Sequence, residues 1–144
     1  MPWKHSADAL VMNCIDFRLV EDTAALMTEL GLAGRYDNFV LAGAALGVLQ
    51  NQAWRETFDA NVDIAVSLHF IRLVIVVDHM DCGYYKAVYY NQLSAADQAD
   101  WPKLERRLHH HNLIVAMRHL QLLHPTLEFQ GWLMELDGTA NRLV

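Results

Sequence analysis

Leu73-Val74-Ile75-Val76-Val77-Asp78-His79-Met80-Asp81-Cys82-Gly83 decides how the rest of the chain is read. Its first five residues are apolar with no polar alternation, the pattern of a strand buried on both faces in a parallel sheet. The run ends at His79, with Cys82 three residues on and Gly83 where the backbone can turn. Ligands of open α/β sheets gather at the carboxyl ends of strands, and this is such an end. Imidazole and thiolate are both favoured by zinc, and one tight turn can aim the two at a single ion. Two ligands leave a site incomplete, so a third must come from elsewhere.

A second apolar run, Ala9 to Cys14, also reads as a strand and also ends on a cysteine. Parallel strands joined by crossovers would bring Cys14 to the same edge as His79 and Cys82. Three ligands of type Cys2His with an open fourth position form a catalytic zinc arrangement rather than a closed structural one. Two thiolates cancel the ion's charge, so a bound water is acidified less than under three imidazoles. A neighbouring group must then orient it. Asp16 is that candidate, and Arg18 falls on the same side if the chain stays extended.

The remaining segments alternate. Val20 to Leu32 has helical spacing, with Ala24, Met27 and Leu30, or Leu26 and Leu30, on one side, and Gly31 and Gly34 ending it. Asn38 to Leu41 reads as a strand that closes on the small residues Ala42 to Ala45, which permit close backbone approach. Ala53 to Phe70 reads as a long helix, and Tyr84 to Tyr90 as a short one starting on Gly83. Ser94 to Asp100 is turn-like, and Asp100-Trp101-Pro102 has the order of an N-cap and an early helical proline. The helix it opens runs to about Leu123, with Leu104, Leu108, Val115, Met117 and Leu120 inward. Thr126 to Leu136 reads as a strand, followed by an Asp137-Gly138 turn into Thr139 to Val144. Strands alternating with helices imply an α/β fold whose mostly parallel sheet is covered on both sides.

Composition narrows the function. The chain has 144 residues, most simply one domain, with 53% apolar and 19% charged residues. A net charge of −6 and no basic stripe argue against general nucleic-acid binding. No apolar run approaches the ~20 residues that cross a bilayer, and Met1 to Ser6 lacks a signal-peptide core, so a cytoplasmic protein without a membrane partner is expected. Two cysteines, Cys14 and Cys82, fit a reducing compartment. The apolar content gives a slight hint of a subunit interface.

Cys14-Ile15-Asp16-Phe17-Arg18 together with His79-Met80-Asp81-Cys82-Gly83 resembles the paired Cys-x-Asp-x-Arg and His-x-x-Cys-Gly motifs of the β-class carbonic anhydrases. The resemblance runs from about Leu10 to the end, where Gly131 to Gly138 is similar to the family's last strand and turn. It implies a three-layer α/β/α fold with a four-stranded, mostly parallel sheet and an antiparallel C-terminal strand, over one zinc-binding domain. It also implies one Zn2+ per chain held by Cys14, His79 and Cys82, and reversible hydration of carbon dioxide by metal-bound hydroxide. By the same resemblance Asp16 accepts a hydrogen bond from that hydroxide, and Arg18 pairs with Asp16 and keeps it off the metal. A homodimer or higher homo-oligomer with sites at the interface follows too. The sequence departs from the pattern at Val40-Leu41-Ala42-Gly43, where the family has Arg-Asn-Ala-Gly, and at Tyr84-Tyr85, where small residues are usual.

Plainer readings stand beside these. Asp16 can be a helix cap and Arg18 its surface partner. His109-His110-His111 falls within a helix, where consecutive residues point apart, and is expected to be a partly solvated face rather than a metal tract. His5, His69, His119 and His124 carry no interpretable context. Hydrolysis of carbonyl sulfide or carbon disulfide on the same site is an alternative function. A non-catalytic zinc module is another, and its mark would be a fourth position blocked near Tyr84.

Overall fold

The computed structural model describes residues 5–144; Met1 to Lys4, part of the stretch read for a leader, lie outside the described residues. Strands β1 (Ala9–Asn13), β2 (Tyr36–Val40), β3 (Leu73–His79) and β4 (Glu128–Met134) are parallel in the order β2-β1-β3-β4. Strand β5 (Ala140–Arg142) adds antiparallel to β4, as expected of the C-terminal segment.

Ala9, Val11, Ile75 and Val77 face one side, where Leu26 and Met27 of α1 (Val20–Glu29) cover them. Leu10, Met12, Val74 and Val76 face the other, packed against α2 (Ala45–Gln50), α3 (Gln52–His69) and α6 (Trp101–Leu123). Both central strands are therefore buried on both sides, which is why their sequences show no alternation. Each valine, leucine, isoleucine or methionine among them contributes about 1.5–3 kcal/mol on burial, so a polar substitution on either face is costly.

The strand order creates the site. From β1 the chain passes to β2 on one side, then returns to β3 on the other, so the connections leave a crevice where the order reverses. Asn13, the last residue of β1, is in register with Val77. Cys14 therefore emerges beside the end of β3.

Several expectations are corrected. Tyr36 to Val40, not Asn38 to Leu41, forms β2, because its pairing to β1 begins at Ala9↔Tyr36. Helix α2 follows directly on Ala42 to Ala44, and the polar Ser94 to Asp100 segment contains a helix, α5 (Ala95–Ala99), capped by the Ser94 hydroxyl. Asp100 sits at the N-cap of α6, but its side chain makes no capping bond. The inward faces are also rotated. Ala24 is exposed and Thr23 buried in α1. In α6, Trp101, Glu105, His109, Asn112, Leu113 and Ala116 are buried with Met117 and Leu120, whereas Leu104, Leu108 and Val115 are half-buried. Among the described residues no helix is long and apolar enough to cross a membrane.

Candidate metal centre

Cys14 leaves β1, His79 ends β3, and Cys82 closes the turn before α4 (Gly83–Tyr89). Their ligand atoms all lie within 4.8 Å of one another. The backbone reverses at Asp81, whose φ of 56° is a left-handed value that aspartate tolerates better than most residues. Gly83 opens α4, as expected of the start of the short helix, and the turn itself falls two residues earlier.

His79 Nδ1 donates to the Met80 carbonyl at 2.8 Å, which leaves the lone pair on Nε2. That nitrogen is buried and has no hydrogen-bond partner. A buried polar atom left so costs about 1–3 kcal/mol, and a metal ion beside it removes the cost. With two sulfurs next to it, the donor set is the one zinc prefers. The residues present fit such an ion.

The sulfurs share their protons unequally. The hydrogen bond from the Cys82 thiol holds Cys14 down at about 4 against its burial, helped by His79 and by the Gly43 N–H. That same bond, then burial, pushes Cys82 up. One thiolate thus forms readily, and a cation would stabilise the second. Burial pulls His79 down, but the Cys14 sulfur beside it, with the Met80 carbonyl, outweighs it and raises the imidazole. Protons and metal compete for these atoms.

The Gly43 N–H donates to Cys14 Sγ at 3.4 Å, from a backbone with φ 73°. A Cβ on Gly43 would collide with Tyr84 Cδ1, and the φ is left-handed, so glycine is required beneath that ring. The small-residue segment thus serves close approach in two directions. Tyr84 rests on Gly43 and tilts against Trp54 at 5.8 Å between centroids. It walls a cleft of about 830 Å³ and does not fill it; Ile15, Phe17, Ala42 and Ala87 supply much of the apolar lining.

Asp16 and Arg18 line the same cleft. Arg18 donates to Asp16 through Nε at 3.0 Å and Nη2 at 2.7 Å, and reaches Asp81 Oδ2 and its carbonyl, each at 3.0 Å. The guanidinium holds the Asp16 carboxyl down at about 2, against partial burial. Asp16 also accepts from the Arg18 backbone N–H as cap of the turn Phe17–Leu19. The plain reading of the pair as a cap is therefore correct in part, but the same carboxylate lies 3.8 Å from the lone-pair nitrogen of His79.

Beneath the turn lies a network that sequence reasoning missed. Asp78 is buried and accepts from the Ala45 N–H at 3.1 Å, the Tyr85 hydroxyl at 2.7 Å and His109 Nδ1 at 2.7 Å. His109 Nε2 meets Glu105 Oε1 at 3.3 Å, and that oxygen accepts from the Cys82 N–H at 2.9 Å. His109 is fully buried, so the expectation of a solvated histidine face fails there and holds for the exposed His110 and His111. His69, His119 and His124 stand beside Asp37, Asp59 and Asp63.

Residues 4–121 match a family model described as "Putative carbonic anhydrase". An uncharacterized protein of Rickettsia bellii is 31% identical over 96% of this chain and 83% of its own length. The β-carbonic anhydrase CafA of Aspergillus fumigatus superposes with a TM-score of 0.63 at 18% identity, covering 96% of this chain and 76% of that one. A β-carbonic anhydrase of Sordaria macrospora, described as tetrameric, gives 0.54 at 15% identity, covering 96% and 81%.

Proposed function

The chain belongs to the carbonic anhydrase family as a divergent β-class member, and from that premise we propose that it is a carbonate dehydratase, a zinc lyase interconverting carbon dioxide and bicarbonate. The observation that carries this reading is the buried, unpartnered His79 Nε2 beside two cysteine sulfurs at a crevice between strand ends. Cys14, His79 and Cys82 would hold one Zn2+ per chain, in a single domain spanning residues 1–144. A zinc ion there supplies Lewis acidity that makes a water nucleophilic near neutral pH.

The chain's own residues do the rest. The apolar lining admits a small linear molecule without hydrogen-bonding it. Asp16, ionised down to about pH 2, has no proton to give and can only accept. It therefore fixes the orientation of a water whose O–H points to it. Arg18 engages both Asp16 oxygens and so keeps the carboxylate from swinging onto the metal. Hydration of carbon dioxide yields bicarbonate and one proton. No histidine lines the cleft among the described residues, so that proton passes to external buffer.

Ile15 and Phe17 at this mouth, and Val20 and Val40 in the adjoining hollow that shares Ile15, are exposed, Phe17 at 84%. An apolar rim of this kind supports a homo-oligomer, dimer or larger, in which a second copy walls the cleft. Free ligand thiols favour the reducing cytoplasm.

Metal analysis and stopped-flow hydration on the same preparation test the reading. About one zinc per chain and measurable hydration are expected, with most zinc lost in Cys14→Ser, His79→Ala and Cys82→Ser. Full zinc retention in Cys82→Ser contradicts the ligand assignment. Zinc-loaded protein that ignores carbon dioxide but hydrolyses carbonyl sulfide or carbon disulfide would move the assignment to that reaction. Zinc without any turnover would leave a binding module.

A further inference from the structure

The turn His79 to Cys82 is anchored from below at both ends by one helix. Asp78 immediately precedes the first ligand of the turn, and Cys82 is the second. Helix α6 reaches both: His109 binds the Asp78 carboxylate at 2.7 Å, and Glu105, one helical turn earlier, accepts from the Cys82 N–H at 2.9 Å. His109 and Glu105 also meet each other at 3.3 Å, which closes a ring from β3 through α6 back to the turn. All three side chains are at least 98% buried. The Tyr85 ring lies 3.8 Å from the His109 ring, and its hydroxyl binds the same Asp78 oxygen.

We propose that His109 is a positioning residue of the metal centre, holding Asp78 and Glu105 so that His79 and Cys82 stand at ligand separation before an ion arrives. The inference rests on the assignment of Cys14, His79 and Cys82 as ligands. Its physical basis is geometric. Asp78 takes three hydrogen bonds on buried oxygens, so its backbone, and with it the start of the turn, has one position. The Cys82 N–H is tied to Glu105, whose carboxylate stays in place because His109 spans it and Asp78. With both nitrogens protonated, His109 donates once to each acid, and no other side chain of similar size donates from both ends along these directions. Without it the two carboxylates face each other across a buried gap and must move apart. The ends of the turn would move with them, and supporting groups around metal ligands typically change affinity by about 10–100-fold.

The test uses His109→Phe, which keeps a ring against Tyr85 but donates nothing, and Glu105→Ala, which releases the Cys82 N–H and leaves His109 on Asp78. Leu120→Ala, buried on the same helix but away from the turn, serves as the stability control. Zinc affinity is read by chelator competition, and ligand geometry by the visible absorption of the cobalt-substituted proteins. His109→Phe should weaken zinc binding about 10–100-fold and shift the cobalt bands, Glu105→Ala should do so by about 10-fold, and Leu120→Ala should change neither. If His109→Phe fails to fold, Glu105→Ala alone decides. Wild-type affinity and cobalt spectrum in the folded variants overturn the proposal, as does an equal loss in Leu120→Ala. A wild type that binds no zinc overturns the ligand assignment instead.

Discussion

Two ion triads flank the turn from His79 to Cys82, and each places a cation between two carboxylates. Above it, Arg18 joins Asp16 to Asp81; below it, His109 joins Asp78 to Glu105. The upper cation is 37% exposed and one of its acids 59%, while the lower cation is fully buried. The same charge pattern therefore does different work. Water screens the upper triad, so it contributes little to folding and its carboxylate stays open to the cleft, where the proposed reaction needs it. No water reaches the lower one, where each charge depends on its partners. Similar chemistry at two depths separates the proposed catalytic role from the proposed supporting one.

The largest expected effect is loss of the buried cation. His109→Leu should destabilise the protein by about 3–5 kcal/mol, because it leaves two carboxylates uncompensated in the interior. Urea denaturation measures it. A change below about 1 kcal/mol would show that the lower triad behaves like a surface pair.

Titration gives the next test. Burial pulls His109 down, but the hydrogen bonds and charges of Asp78 and Glu105 outweigh it and raise it to about 9. A folded-state value above the unfolded 6.5 means the contribution is complete below pH 6.5 and is lost as pH rises through about 9. Of order 3 kcal/mol should disappear between those limits. Denaturation midpoints from pH 6 to 10 should therefore fall in the wild type and stay nearly flat in His109→Leu. The upper triad has the opposite sign. Asp16, held down at about 2, loses its contribution only as pH falls from about 4 through 2. Parallel midpoint curves for wild type and His109→Leu would refute the difference.

Arg18→Ala should have the smallest effect on stability, about 0–1 kcal/mol, since exposed pairs rarely contribute more. Hydration should nevertheless fall, as Asp16 is released towards the metal position. A large loss of stability with activity intact would reverse the comparison.

The two triads also differ in how readable they were. Asp16 and Arg18 sit two residues apart beside Cys14, so local spacing exposed that pair, whereas Asp81 as the second partner of Arg18 emerges only in the structure. Asp78 belongs to β3 while Glu105 and His109 belong to α6, far along the chain, and Glu105 to His111 looks like a solvated charged run. Tertiary packing selects which of those residues turn inward. A signal existed: Trp101, Glu105, His109, Asn112, Leu113, Ala116 and Leu120 form one continuous helical stripe, and reading it as a stripe places His109 inside. The parallel strands were legible for the opposite reason, since burial on both faces leaves an unbroken apolar run. Helix α2 was missed because Ala45 to Gln50 is short and begins on Ala44 with φ 44°, a conformation no propensity favours.

The measurement that bears most directly on the central claim is carbon dioxide hydration by zinc-loaded wild type and Asp16→Asn. The substitution keeps the shape of the side chain and replaces a charged acceptor with an amide. Both proteins should retain one zinc per chain and similar stability, while the hydration rate of Asp16→Asn falls by about 10²-fold, the scale of a positioned proton-handling group. Equal rates at equal zinc content would contradict the account.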